Sequence, residues 1–435
     1  MRAGSAKVTD RVRLPKFLMP NPYLAVAAII LGVALLQLAN GALLTFLPVR
    51  LTLDSYSAGQ IGLIATGHAA GFLVGCLMTT RIIRQVGHIR AFAVFAAMMS
   101  AVAIAFSLWI DPVYWMGLRI ITGFCSAGLF TVAESWLAER TPAGLRGRVL
   151  SVYMIFNKVG FAGGQLMLAV GDVAGLAFYM GGAALYALCL IPVALTTSTS
   201  PSVPDIAPLR LRELYRIAPA GVVGCFATGL INSAVISLSP VYGARLGLTT
   251  TAIAILMAIT QAGSLAFQWP LGWLSDRIDR RQVIVGCTAA VALVSLLLGF
   301  VPADWLWAIY LLFALWGGFA LSVYAVCVAH ANDFSESGRT VQLSSSLLLC
   351  WALGSAVGPT LATLMMDRFG PGGLFQYAAI VAAGLALFVL WRTTRRASIP
   401  AAEREPFVNV PATSPIAMDM DGEADAGRAP AGRDR

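Results

Sequence analysis

A chain of 435 residues that is 58% hydrophobic and only 12% charged is too apolar for a water-soluble globular domain, and reads as a protein crossing a membrane many times. Its net charge of +9 would suit a nucleic-acid partner if the basic residues formed one patch, but they fall in short groups between apolar runs, so no nucleic-acid partner is expected. All 7 cysteines lie in apolar runs without CxxC spacing, which argues against disulfides and zinc; neither a metal nor a cofactor is expected.

A bilayer core of about 30 Å needs about 20 apolar residues per helical span. The N-terminal segment 1–22 is basic, like the first region of a signal peptide, but the apolar stretch after it is too long for one and reads as an uncleaved first span. Apolar runs follow at 23–47, 57–79, 91–110, 113–137, 148–170 and 173–196, a first half covering 23–196. The linker 197–217 begins Ser/Thr/Pro-rich and ends in a short amphipathic helix candidate with Arg210, Arg212 and Arg216. The second half, 218–392, has runs at 218–240, 249–273, 282–301, 305–329, 342–364 and 372–392, and the Pro/Ala/Gly/Asp-rich tail 393–435 is expected to be disordered. The fold class is therefore an all-α polytopic membrane protein with twelve transmembrane helices; a transmembrane β-barrel would show alternating segments about half this long.

The two halves repeat each other. LANGALLTFLPVR, starting at Leu38, aligns with LINSAVISLSPVY, starting at Leu230, at an offset of 192: Asn40 meets Asn232, and Pro48 meets Pro240. The same offset carries Ile61 onto Ile253 and Gly71 onto Gly263. A duplicated six-helix unit implies two pseudo-symmetric halves with a site between them. Basic residues also fix an orientation. Of the 30 Lys and Arg, Arg50, Arg245 and Arg368 fall in loops on one side, Arg119 and Lys158 lie inside spans, and the rest lie in segments on the other side. The positive-inside rule then places both termini and the linker in the cytoplasm. Abundant Ala, Gly and Arg hint at a GC-rich bacterial genome, so a multi-pass position in the bacterial inner (plasma) membrane is expected.

GWLSDRIDRR, Gly272 to Arg281, resembles the GxLaDRxGRR signature of major facilitator superfamily transporters, with Asp279 where that family usually has Gly. A carboxylate beside a helix N-terminus meets its positive end, and neighbouring Arg residues bind opposing acids. The resemblance makes Asp276, Arg277, Arg280 and Arg281 gate candidates. The first-half counterpart, TRIIRQVGHIR, keeps Gly87 but has Arg84 opposite Asp276, which suggests swapped charges with Arg84 facing Asp333 or Glu336 of HANDFSESGRT. RIITGFCSAG in span four resembles the RxxxG pattern that the family links to proton coupling, and VAESWLAERTPAGLRGRVLSVYM, with Glu134, Ser135, Arg146 to Arg148 and Tyr153, most resembles its YcaD-type branch. In FNKVGFAGGQ of span five, Gly160 and Gly164 keep a GxxxG spacing without the antiporter proline, and span eleven supplies GSAVGP (Gly354 to Pro359); helix packing explains both runs.

Ionisable groups in hydrocarbon face a cavity, a partner or a pathway. His68, Arg119, Glu134 and Lys158 are the candidates. Lys158 lies roughly 15 Å from either end of its span, and Ser151, Lys158 and Gln165 recur every seven residues on a face expected to look into a wet cavity; the alternative is a Lys bonded to neighbouring carbonyls. Glu134, a turn from the cytoplasmic end, and Arg148 are expected at the gate, and His68 is a possible proton carrier set against a packing role. Gln37 and Asn40 share one face of span one, and Gln261, Ser264 and Gln268 line one side of span eight. Because spans one, four, seven and ten line the cavity in the family, Asn40 and Asn232 are expected across it from each other, with Trp316 and Tyr324 as aromatic walls.

The resemblance implies a monomeric secondary active transporter that moves a small-molecule substrate by alternating access in the lipid bilayer, coupled to protons. A facilitated uniporter and a non-transporting sensor that kept the fold are the alternatives. An intramembrane enzyme is disfavoured, because HExxH, GxSxG and paired intramembrane carboxylates are all missing from the sequence.

Overall fold

Residues 22–142, 145–195, 211–334 and 340–395, with Pro400, Arg404, Phe407 and Pro411–Thr413, are described in a computed structural model. The first half holds α1 (Pro22–Leu53), α2 (Ala58–Val86), α3 (His88–Ala105), α4 (Pro112–Arg140), α5 (Arg146–Leu166) and α6 (Ala177–Ala194). The short α7 (Leu211–Ile217) precedes the second half of α8 (Pro219–Arg245), α9 (Thr250–Arg277), α10 (Arg280–Phe300), α11 (Leu306–Asn332), α12 (Thr340–Phe369) and α13 (Gly373–Thr393). Each apolar run read from the sequence falls on one long helix. Eleven of these are long and apolar enough to cross a membrane by length and composition. The remaining one, α5, has span length but carries Arg146, Arg148 and Lys158.

The boundaries have local causes. Ser57 and Gln60 form a reciprocal capping box that starts α2; Asp111 caps α4 ahead of Pro112, and Thr249 caps α9. Gly87, at φ 85°, makes the tight turn between α2 and α3. At the equivalent place in the second half, Asp279 instead caps α10, its carboxylate accepting the Arg281 N–H at 2.9 Å. The amphipathic linker helix forms as expected, with Leu214 buried and Arg212 and Arg216 exposed; Arg210 lies outside the described residues.

Side-chain bonds sort the connections onto two faces. Tyr56 donates to Ile110 O, Arg50 to Val173 O and Thr251 to Ala169 O, which gathers the α1–α2, α3–α4, α5–α6 and α8–α9 connections at one end, the loop face. The α2–α3 and α9–α10 turns, α7 and the end of α13 lie at the other, the basic face.

Hydrocarbon does not drive apolar helices together, so close packing must hold them. Glycines supply it in matched pairs. Gly160 and Gly164 of α5 lie on the Ala34 and Leu38 carbonyls of α1, and Gly354 and Gly358 of α12 lie on the Phe226 and Leu230 carbonyls of α8. Ala34 and Phe226, like Leu38 and Leu230, are 192 residues apart, so the two GxxxG runs are one packing device used twice. Likewise Gly71 and Gly123 join α2 to α4 at Ile120 and His68, while Gly263 and Gly317 join α9 to α11 at Ala314 and Thr260. Large apolar side chains that remain exposed, such as Leu77, Leu296, Leu364 and Leu387, form the surface presented to lipid.

The halves meet through α2 against α12, α5 against α9 and α1 against α8. Direct ties include the Thr66–Thr360 hydroxyl pair at 2.8 Å, Gly62 against Thr363, and Lys158 Nζ donating to Ser264 Oγ at 2.6 Å. The first two lie in the part of α2 and α12 nearer the loop face.

Candidate functional site

A cavity of about 240 Å³ lies between the halves. Gln37 and Asn40 reach it from α1, His68 and Phe72 from α2, Arg119, Ser126 and Phe130 from α4, Phe161 from α5, Asn232 and Ser233 from α8, and Trp351 and Ser355 from α12. The repeated asparagines, Asn40 and Asn232, thus line one cavity from opposite halves.

Its polar groups are held rather than loose. Tyr186 on α6 donates to Asn40 Oδ1 at 2.7 Å, Asn40 donates to Gln37 Oε1 at 2.8 Å, and Gln37 donates to Asn157 Oδ1 on α5 at 2.8 Å. This chain across three helices fixes which way each carboxamide points. Asn232 donates to Ala320 O at 3.3 Å, while its buried Oδ1 meets no hydrogen-bond partner among the described residues. A buried acceptor without a partner is costly.

His68 and Arg119 form the basic part of the wall. The Thr122 hydroxyl donates to Arg119 O at 2.9 Å and lies 3.2 Å from His68 Nδ1. The Thr122 hydroxyl thus links the Arg119 carbonyl to the His68 ring. Arg119 is 8% exposed and is part of the lining.

Several expected lining residues lie elsewhere. Lys158 is not on the cavity wall: it reaches across the half interface to Ser264 on α9. Gln165 is fully buried beneath α1, and Ser151 is exposed, so the seven-residue spacing does not make one wet face; α1 and α9 cover different turns of α5. Gln261 is buried within the second half, away from this lining. Trp316 is no cavity wall either: it is wholly buried and donates to Ser295 Oγ on α10 at 3.1 Å. Tyr324 stands behind the wall, edge-on to Trp351. The expectation that α11 lines the cavity gives way to α2 and α12, and Trp351, Phe72 and Phe130, unremarked in the sequence, supply the aromatic surface. Trp351 had one available signal, a large aromatic four residues before Ser355 in a Gly-rich span.

At the basic face Arg280 is almost fully buried and donates to Asp333 at 2.9 Å, to Ala329 O at 2.6 Å and to Asp276 at 3.4 Å, so the signature stretch knits α9, α10 and α11 of one half. Asp333, expected opposite Arg84, is thus held by Arg280; Glu336 lies outside the described residues. Arg84 sits in the last turn of α2, where its charge suits the helix C-terminus rather than opposing an N-terminus. Arg281 is held to Asp279 at 2.7 Å, and Arg277 stacks 3.6 Å above the Trp273 ring. Burial pushes the Asp279 carboxyl up, but the hydrogen bonds and charge of Arg281 outweigh it and hold the carboxyl below its ordinary value. Glu134, fully buried, accepts from the Tyr153 hydroxyl at 2.8 Å and from Thr413 of the C-terminal segment. Arg148 is exposed at the start of α5.

Two similar six-helix halves around a central polar cavity define a membrane transporter. The Major Facilitator Superfamily pattern matches residues 29–262 and again 221–418, and the chain belongs to that superfamily, a family of transporters and not of enzymes. The chain is 27% identical over 390 residues to an uncharacterized MFS-type transporter of Yersinia enterocolitica, covering 88% of this chain and 98% of the relative. It is 28% identical over 370 residues to the uncharacterized MFS-type transporter YcaD of Escherichia coli, covering 82% and 93%. Among solved structures, the nucleoside transporter NupG superposes with TM-score 0.70 at 12% identity, covering 84% of this chain and 98% of NupG. A bacterial homologue of the human lysosomal transporter Spinster, in an inward-facing and occupied conformation, gives 0.69 at 17% identity, covering 89% and 99%.

Proposed function

We propose that the chain is a proton-coupled secondary transporter that moves a small anionic or zwitterionic solute by alternating access, with its basic face in the cytoplasm of a bacterial cell. The observation that carries this reading is the cavity between the halves. Arg119 and the protonatable His68 lie on one wall and Asn232 lies on the other, with a locked carboxamide pair between. A negative group on the solute would sit at Arg119, and a donor such as an ammonium would fill the Asn232 acceptor. His68 and Glu134 are the titratable groups best placed to carry protons, His68 on the cavity wall and Glu134 toward the basic face.

A thermal-shift screen of purified protein against small acids, amino acids, nucleosides and sugars tests the solute class, since a ligand of the folded state raises Tm by mass action. An acid or zwitterion is expected to stabilise the protein, and Arg119→Gln or Asn232→Ala is expected to remove that shift. In proteoliposomes loaded with a pH dye, the same solute should move protons, and His68→Gln or Glu134→Gln should uncouple the two. Stabilisation by neutral sugars alone overturns the charge assignment.

A further inference from the structure

After α13, the described residues Arg404 and Phe407 lie at the basic face, and Ala412 and Thr413 line the cavity. Arg404 donates to Ile278 O in the α9–α10 turn at 2.6 Å, and the Phe407 N–H donates to the Asp276 carboxylate at 2.8 Å. The Phe407 ring rests on Gly272, where any β-carbon would collide with it. Further on, Ala412 and Thr413 join the cavity lining beside His68 and Arg119, and the Thr413 hydroxyl donates to Glu134 on α4. Thr413 is six positions beyond Phe407, a reach of about 20 Å. Residues of one segment thus touch the second half at its signature stretch and the first half at the buried Glu134 carboxylate.

We propose that the basic-face mouth of the cavity is a peptide-binding surface, and that its partner is the chain's own Arg404–Thr413 segment, bound there as an intramolecular competitor of whatever enters from that face. The chemistry fits a peptide with an arginine, an aromatic ring three residues later and a hydroxyl six residues beyond that. Gly272 provides the seat for the ring, Asp276 takes a backbone N–H, and Glu134 takes the hydroxyl. Alternating access closes this mouth by bringing the basic-face ends of the halves together, and the segment lies between them. It must leave before closure, so its binding favours the conformation described here. The contact itself does not depend on the transport reading; its consequence for gating does.

The test needs no substrate. In the purified full-length chain, Ser233→Cys on the cavity wall reports access through the rate of N-ethylmaleimide labelling, corrected against the chain without that cysteine. Ending the chain after Arg395, or combining Phe407→Ala with Thr413→Val, is expected to speed labelling at least about fivefold by shifting the bound population. A synthetic peptide of residues 400–418 added to the shortened chain should slow it again. In the full chain, Thr413→Cys should cross-link to Phe130→Cys on α4 and not to Ser57→Cys at the loop face. If the shortened chain loses its melting transition, the double variant decides alone. No Phe130 cross-link, or an unchanged labelling rate in a folded variant, overturns the proposal. Because neither readout measures transport, failure here leaves the proposed transport function standing, and failure of transport leaves this test intact.

Discussion

Lys158 shows how a residue's meaning depends on its neighbour. A lysine in mid-span needs a partner, and here the partner is Ser264 of the other half, at 2.6 Å. A bond between two rigid halves contributes to one conformation and is lost in another, so it biases their balance. Hydrogen bonds to charged groups contribute about 1.5–3 kcal/mol, which is about a tenfold to hundredfold shift between states. Lys158→Ala is therefore expected to abolish transport of a solute found by the screen, with the melting temperature nearly unchanged. Ser264→Ala should produce a partial loss in the same direction, and Lys158→Arg only a partial rescue, because a planar fork cannot take the place of a compact ammonium. Full transport by Lys158→Ala would assign the residue to structure alone.

Among the elements, the glycine crossings carry the duplication. Gly164 lies on the Leu38 carbonyl and Gly358 on Leu230, residues related by the repeat. Even a methyl group at either place would strike backbone, which cannot swing aside as a side chain can. Overpacking of this kind costs typically 1–3 kcal/mol, so Gly164→Ala and Gly358→Ala should lower Tm by similar amounts in a detergent melt. Gly117 and Gly384, whose added β-carbons meet nothing nearby, serve as controls, and their Ala variants should melt like the parent protein. Equal loss at all four positions would overturn this account, because helix propensity favours Ala over Gly and cannot by itself lower Tm.

For the whole molecule, the basic residues predict which face is cytoplasmic. A membrane-impermeant maleimide added to intact cells should label Leu108→Cys or Asp304→Cys, in the α3–α4 and α10–α11 connections. It should reach Arg212→Cys in α7 only after the cells are opened. Labelling of Arg212→Cys in intact cells would invert the orientation and with it the assignment of the cavity mouth. The same architecture explains why the signature stretch is a clamp within one half: Arg280 holds Asp276 and Asp333 together and so ties α9, α10 and α11 to one another.

The number of spans, the duplication and the family are all legible along the sequence, because each depends on short-range chemistry. Apolar runs of bilayer length must become helices in hydrocarbon, where backbone polar groups have no water to bond. A repeat of small residues at fixed spacing imposes the same crossings twice. It also picked out Gln37, Asn40, His68, Arg119 and Asn232, which share the cavity, since polar groups in an apolar span have few other places to go. Which turn of each helix faces which neighbour is set instead by the packing of all the helices together. Trp316 and Lys158 looked like cavity residues because polarity and aromaticity are legible along the chain. The rotation and crossing of α11 and α5 are not, and these bury Trp316 against Ser295 and point Lys158 at Ser264. The placement of Phe407 and Thr413 was beyond the sequence for the same reason: a Pro/Ala/Gly-rich tail has no periodicity of its own, and the site it occupies is built by helices from both halves.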